Sequence, residues 1–239
     1  KMKNYLFIFL SLLFSYQSSA KIFSANLNKS NRESITRRAG HSTAMKLLSD
    51  PYPLGGYEGL EYGIILESLP TSDFQDYGDG TADGRTLYYP AFNIGKGLYK
   101  NVDLFLNFGV YSGDTSVGLY GAMLRWGFYE SERIPLVIAL NLHISSSNFN
   151  NEVTGDTEGF LIDAGLNFTD AGVYLGVGRV SSKSIFTSDL TDSTDSERNN
   201  ATDLHLRLGG VYHFRPIFVA LEVNRYTITH FSLKLGYRY

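Results

Sequence analysis

The chain has 239 residues, with 17 Tyr, 16 Phe and 24 Gly but only 19% charged residues, no Cys and a formal net charge of −3. That length suits one domain of ordinary size, and aromatic and glycine enrichment suits short strands and tight turns better than helices. The lack of Cys excludes disulfides and a lipid-modified cysteine, and the acidic balance excludes the basic stripe that nucleic-acid binding requires.

Residues 1–20 read as a secretory signal peptide. Lys1 and Lys3 make a basic start, Tyr5 to Phe14 an apolar stretch, and Ser18-Ser19-Ala20 a small-residue exit. The stretch is too short to span a bilayer as a helix. Its removal takes away two positive charges and leaves a net charge of −5.

Residues 21–56 differ in pattern from the remainder of the chain. Asn31 to Leu48 predicts a helix with Asn31 as its cap and a basic cast from Arg37, Arg38 and Lys46. Asp50-Pro51-Tyr52-Pro53-Leu54-Gly55-Gly56 reads as a stiff loop. The segment is expected to be a loose periplasmic lead, with a plug in a lumen as the alternative.

After residue 20 no apolar run approaches the length of a transmembrane helix, so a membrane-spanning reading requires a closed barrel. From residue 57 to 239 the pattern is period-two alternation, repeated ten times. Residues 60–66 set Leu60, Tyr62, Ile64 and Leu66 against Glu61 and Gly63. Residues 86–95 carry Tyr88, Phe92 and Ile94 but also Pro90, which is expected near a rim or bulge because it cannot donate to a ladder. Clean alternation continues over 102–110, 116–128, 136–144 and 160–168. Residues 172–180 alternate Val173, Leu175 and Val177 with Tyr174 and two glycines, and residues 204–214, 217–223 and 229–239 complete the set.

Three features favour a barrel over a soluble β-sandwich. Connections after odd strands include two long polar ones (69–85 and 182–201) and a medium one (147–156), whereas those after even strands are tight. Short periplasmic turns with longer outer loops are a barrel property. Trp126, Phe128, Phe168, Tyr212, Phe214, Tyr237 and Tyr239 recur at the same strand ends, as a lipid-interface girdle does, while Tyr88, Tyr120, Phe160 and Phe231 begin a second one. Finally, the chain stops at Phe231-Ser-Leu-Lys-Leu-Gly-Tyr-Arg-Tyr239. With that last strand it resembles, as a class, the outer-membrane β-barrel proteins of Gram-negative bacteria. The resemblance implies a ten-stranded antiparallel transmembrane barrel in the outer membrane, surrounded by outer-membrane lipid, with a C-terminal strand that the barrel-assembly machinery recognises. Both termini are expected in the periplasm.

Chemistry concentrates on the inward face. Asp163, Arg207, Glu222 and Lys234 fall mid-strand, the last three on consecutive strands, and are expected to pair as a lumen charge network. His143-Ile-Ser145 is similar to the His-x-Ser pairing of outer-membrane phospholipase A and lipid A deacylase, with Glu152 and Glu158 nearby. In those enzymes the pair faces lipid, whereas alternation turns His143 and Ser145 inward here. An omptin-type protease is also ten-stranded, but the strands read as about bilayer length and no positions match. Asp73, Asp76, Asp79 and Asp83 could offer oxygen ligands to calcium, though their spacing departs from the EF-hand pattern and fits a solvated acidic turn. The first functional expectation is therefore a porin-like channel or transporter for small solutes. A structural or surface-interaction barrel with a sealed lumen is the alternative, and a lipid hydrolase the remote one; no cofactor and no metal is expected.

Overall fold

A computed structural model describes residues 21–84, 86–112, 116–191 and 198–239. The expected signal peptide, and residues 192–197 of the expected loop, lie outside the described residues. Ten strands form one closed barrel: β1 (Leu60–Leu69), β2 (Leu87–Tyr99), β3 (Val102–Ser112), β4 (Ser116–Glu130), β5 (Leu136–Phe149), β6 (Val153–Asn167), β7 (Ala171–Phe186), β8 (Arg198–Phe214), β9 (Ile217–Arg225) and β10 (Thr229–Arg238). Each pairs antiparallel with its chain neighbours, and β1 closes on β10 with Tyr62 opposite Tyr237. Closure leaves no unpaired strand edge in lipid.

Alternation sets the two faces. Leu208 and Leu221 point outward with 62% of their surface exposed, in a protein whose inward-facing Glu61, Asp103, Arg125 and Lys234 are fully buried. That inversion is the signature of a barrel immersed in lipid. The girdle aromatics sit outward at the short-turn end, with Trp126 against Phe128, Tyr212 against Phe214, and Tyr62 stacked on Tyr237 at 5.1 Å. Pro90 lies in β2 beyond the β2–β3 ladder, which begins at Phe92 opposite Phe108, so its missing N–H breaks no bond to β3.

Two expectations change. β5 to β8 run 14, 15, 16 and 17 residues, longer than the roughly 9–11 that cross a bilayer, so they rise above the apolar belt at the long-loop end. Much of the expected loops 147–156 and 182–201 is therefore strand. The ladder continues there with small polar side chains facing inward, such as Ser147, Thr157, Ser182 and Asn199.

The second change concerns residues 21–56, which lie within the barrel, as the plug alternative has it, rather than as a loose periplasmic lead. Lys21 sits at the long-loop end, where its backbone N–H donates to Asp83 at 3.0 Å. The first described residue is thus opposite the C-terminus, not beside it. Helix α1 (Lys29–Ile35) is shorter than predicted and is capped by Asn28, whose side chain accepts from Asn31 N–H at 2.9 Å. A π-helical turn over Thr36–Gly40 comes next. The helix stops because Ser42 and Thr43 hydroxyls donate back to the Ala39 carbonyl, competing for acceptors the helix would use. The chain then runs along the lumen, and Gly55 and Gly56, both at positive φ, turn it into β1.

Candidate functional site: the occupied lumen

The lumen has two chemically distinct halves. At the long-loop end Phe23, Leu27, Ile35 and Ala39 of the N-terminal segment pack with Leu69, Phe74, Val117, Phe149, Val153 and Phe186. Phe23 stacks on Phe74 at 5.7 Å and meets Phe149 edge-on at 5.8 Å. Each such buried side chain contributes about 1.5–3 kcal/mol, so this half is held as a protein core is held.

Below it, residues 41–50 are all buried, Met45 and Leu47 against Phe105 and Met123, Leu48 against Ile65 and Phe218, and others through polar contacts with the wall. Lys46 pairs with Glu67 at 2.8 Å, and its carbonyl accepts from Asn107. Thr43 donates to Ser147 at 3.2 Å, and Ser49 to Glu61 at 2.9 Å. Lys234 donates to the Leu47 carbonyl and Arg125 to the Asp50 carbonyl. At the short-turn end Arg238 bridges Asp50 and Glu61. Pro51 and Pro53 fill notches where Gly165 and Gly127 have no Cβ. The segment carries six Lys and Arg against two acids, whereas residues 57–239 carry thirteen against twenty-two. A cationic insert thus lies in an anionic wall.

The predicted charge network separates into two parts. Arg207 grips Asp163 through two nitrogens and lies 3.6 Å from Glu222. It reaches Asp163 across β7 because Gly176 lies between them, in register with both. A Cβ on Gly176 would stand 2.0 Å from the Asp163 carboxylate. Glu222 also accepts from Tyr174 and Asn224. Lys234, however, does not join Glu222. It faces β1 and β2, donating to Glu61 at 2.7 Å and to Asn93 at 2.5 Å, because β10 sets Ser232 opposite Glu222. We expect Gly176→Ala to destabilise the barrel by about 1–3 kcal/mol through overpacking, read as a lower urea midpoint. An unchanged midpoint would mean that Arg207 does not cross at this point.

A Ser-His-Asp set that no short motif announces lies higher in the lumen. His41 bonds Ser182 through Nδ1 and Asp203 through Nε2, both at 2.8 Å. Its parts come from the segment, β7 and β8, so their meeting is invisible in sequence spacing. Ser182 is fully buried, also bonds Thr157 at 2.9 Å and lies against Gly40, where a Cβ would stand 2.6 Å from Ser182 Cβ. Arg37 and Thr227 also bond Asp203, so the set works as a latch between the segment, β8 and the β9–β10 connection. His143 and Ser145 are buried inward, and among the described residues neither His143 nitrogen has a hydrogen-bond partner, so no base–nucleophile pair forms.

The acidic loop is engaged by the segment. Asp73 pairs with Arg38 at 2.5 Å, Asp79 accepts from Ala25 N–H and Asp83 from Lys21 N–H. Hydrogen bonds from Thr81 hold the Asp79 carboxyl below the usual carboxylate range. Three of the four candidate calcium ligands are thereby occupied by chain.

No known family matches the sequence, and no curated protein does. Solved structures similar to it include the N-terminal β-barrel domain of Pseudomonas aeruginosa OprF, at 13% identity over 77% of this chain and 99% of that one, TM-score 0.36. The KdgM porin with disordered oligogalacturonate is similar at 8% identity over 75% and 98%, TM-score 0.38. Ail of Yersinia pestis with a heparin analogue is similar at 18% identity over 76% and 97%, TM-score 0.30. By its own strand order and its inverted faces, the chain is a ten-stranded β-barrel of the outer-membrane type.

Proposed function

We propose that this protein is an outer-membrane barrel kept closed by its own N-terminal segment, acting through the surface at its long-loop end rather than as an open pore. The carrying observation is the unbroken burial of residues 41–50 across the middle of the lumen. Small barrels are commonly filled by side chains, and here a chain segment does the filling. Planar-bilayer recording on the full protein tests the reading. No unitary steps are expected at high protein load, and stable steps in the parent protein would overturn it.

One observation favours a second reading, a gated pore. The lower half of the segment is held by ion pairs and hydrogen bonds, which water can replace, alongside smaller apolar contacts of Met45, Leu47 and Leu48. Lys46→Glu sets two carboxylates in contact at Glu67 and should loosen that half. Steps in this variant beside a silent parent are the expected result and would tie closure to the segment.

A further inference from the structure

Strand cations that face away from the lumen are unevenly placed. Among the described residues they are Lys96 towards the short-turn end, and Arg179, Lys183, Arg198 and Arg225 at the long-loop ends of β7, β8 and β9. Arg179 is in register with Phe160 on β6 and Leu204 on β8, beyond which the outward residues are Glu158 and Thr202. It therefore marks the upper edge of the apolar belt. Arg225 is in register with Leu206 on the other side of β8. With strands about 4.8 Å apart and the two positions offset by two residues along β8, the two arginines flank β8 roughly 12 Å from one another.

Lys183 and Arg198 stand higher on the same face. Glu158 lies 3.7 Å from Lys183, and among the described residues Arg179, Arg198 and Arg225 have no carboxylate partner. Around them the outward wall carries Ser181, Asn200 and Thr202, and its acids, Glu158 and the Asp156 in register with Lys183, lie on the β6 side. On the far side of the barrel the outward residues towards this end are Tyr88, Val110, Tyr120 and Ile144. The charge is therefore a one-sided patch rather than a ring.

Guanidinium groups at the edge of an apolar belt meet lipid headgroups, and their planar fork matches a phosphate in two hydrogen bonds. Hydroxyl and amide side chains above them suit a sugar. We infer that the outward face of β7–β9 at the long-loop end binds the phosphorylated sugar headgroup of an outer-leaflet glycolipid. The inference rests on the long-loop end facing outward, not on whether the lumen is closed.

The test uses the full chain folded in zwitterionic micelles, with bound lipid counted by native mass spectrometry. The probes are lipid A, dephosphorylated lipid A, phosphatidylglycerol and inorganic phosphate. Lipid A should bind about tenfold tighter than its dephosphorylated form, and the doubly substituted Arg179→Gln, Arg225→Gln protein should lose that preference. Glu158→Gln, which frees Lys183, should strengthen it. Both substitutions lie on the outer surface, and heat-shifted electrophoretic mobility reports the folded barrel. Should the double variant not fold, the two single Gln variants and Glu158→Gln carry the comparison. Equal binding of both lipid A forms, or an unaltered preference in the variants, overturns the proposal. So does competition by inorganic phosphate, which would make this a free-anion site. Preference for phosphatidylglycerol over lipid A overturns it through the orientation, leaving lumen closure untouched.

Discussion

Arg207→Met is expected to cost about 3–5 kcal/mol, among the largest effects of any single substitution in this barrel. The Met side chain fills the stem's packed space but ends short of the guanidinium, so what is lost is the charge and the donors to Asp163. Asp163 is fully buried and would keep only Asn141 as a partner. Glu222, also buried, would keep the neutral Tyr174 and Asn224. Two carboxylates would then sit in a dry lumen without a counter-charge, and neither can reach water past the N-terminal segment. Urea unfolding in lipid vesicles, followed by the fluorescence of the single Trp126, measures the loss. A cost below about 1 kcal/mol would mean that water reaches the network and screens it, as in an open lumen.

Leu140→Arg is expected to cost about 2–4 kcal/mol by the opposite mechanism, placing a charge in hydrocarbon. Leu140 lies on the outward face of β5, in register with outward Trp126 on β4 and Ile162 on β6. Ser146→Arg, on the same strand and face but above the belt, should cost no more than about 1 kcal/mol. The same unfolding assay compares them. Equal costs would mean that the belt does not end between the two positions, and that the strand extension lies within lipid.

The barrel was legible in the sequence wherever apolar alternation carried it. The ten strands and the girdle from Trp126 to Tyr239 come from period two and from where aromatics recur. The upper parts of β5 to β8 were not legible, because above the membrane neither face needs to be apolar. Ser145, Ser147, Ser182 and Ser184 resemble loop residues until the ladder is seen to hold them. The pairing of Arg207 with Asp163 and Glu222 was foreseeable from depth, but the partner of Lys234 depends on register, which a slip of one residue would invert. The buried segment was hidden for another reason. Its cationic composition is that of a solvated lead, whereas the acids of the wall pair with it and apolar wall residues pack on Phe23, Met45 and Leu48. Gly127, Gly165 and Gly176 read as ordinary strand glycines, whereas two admit the prolines and one admits an arginine.

The most direct measurement exploits the absence of native cysteine. Thr43 on the segment and Ser147 on β5 have hydroxyl oxygens 3.2 Å apart inside the lumen. A protein carrying Thr43→Cys and Ser147→Cys has one possible intramolecular disulfide, between side chains that touch in this structure. Closure by the N-terminal segment predicts near-complete crosslinking on mild oxidation, with the mobility of a folded barrel and no bilayer conductance. Two thiols that stay free to alkylation in the folded, oxidised protein would contradict it.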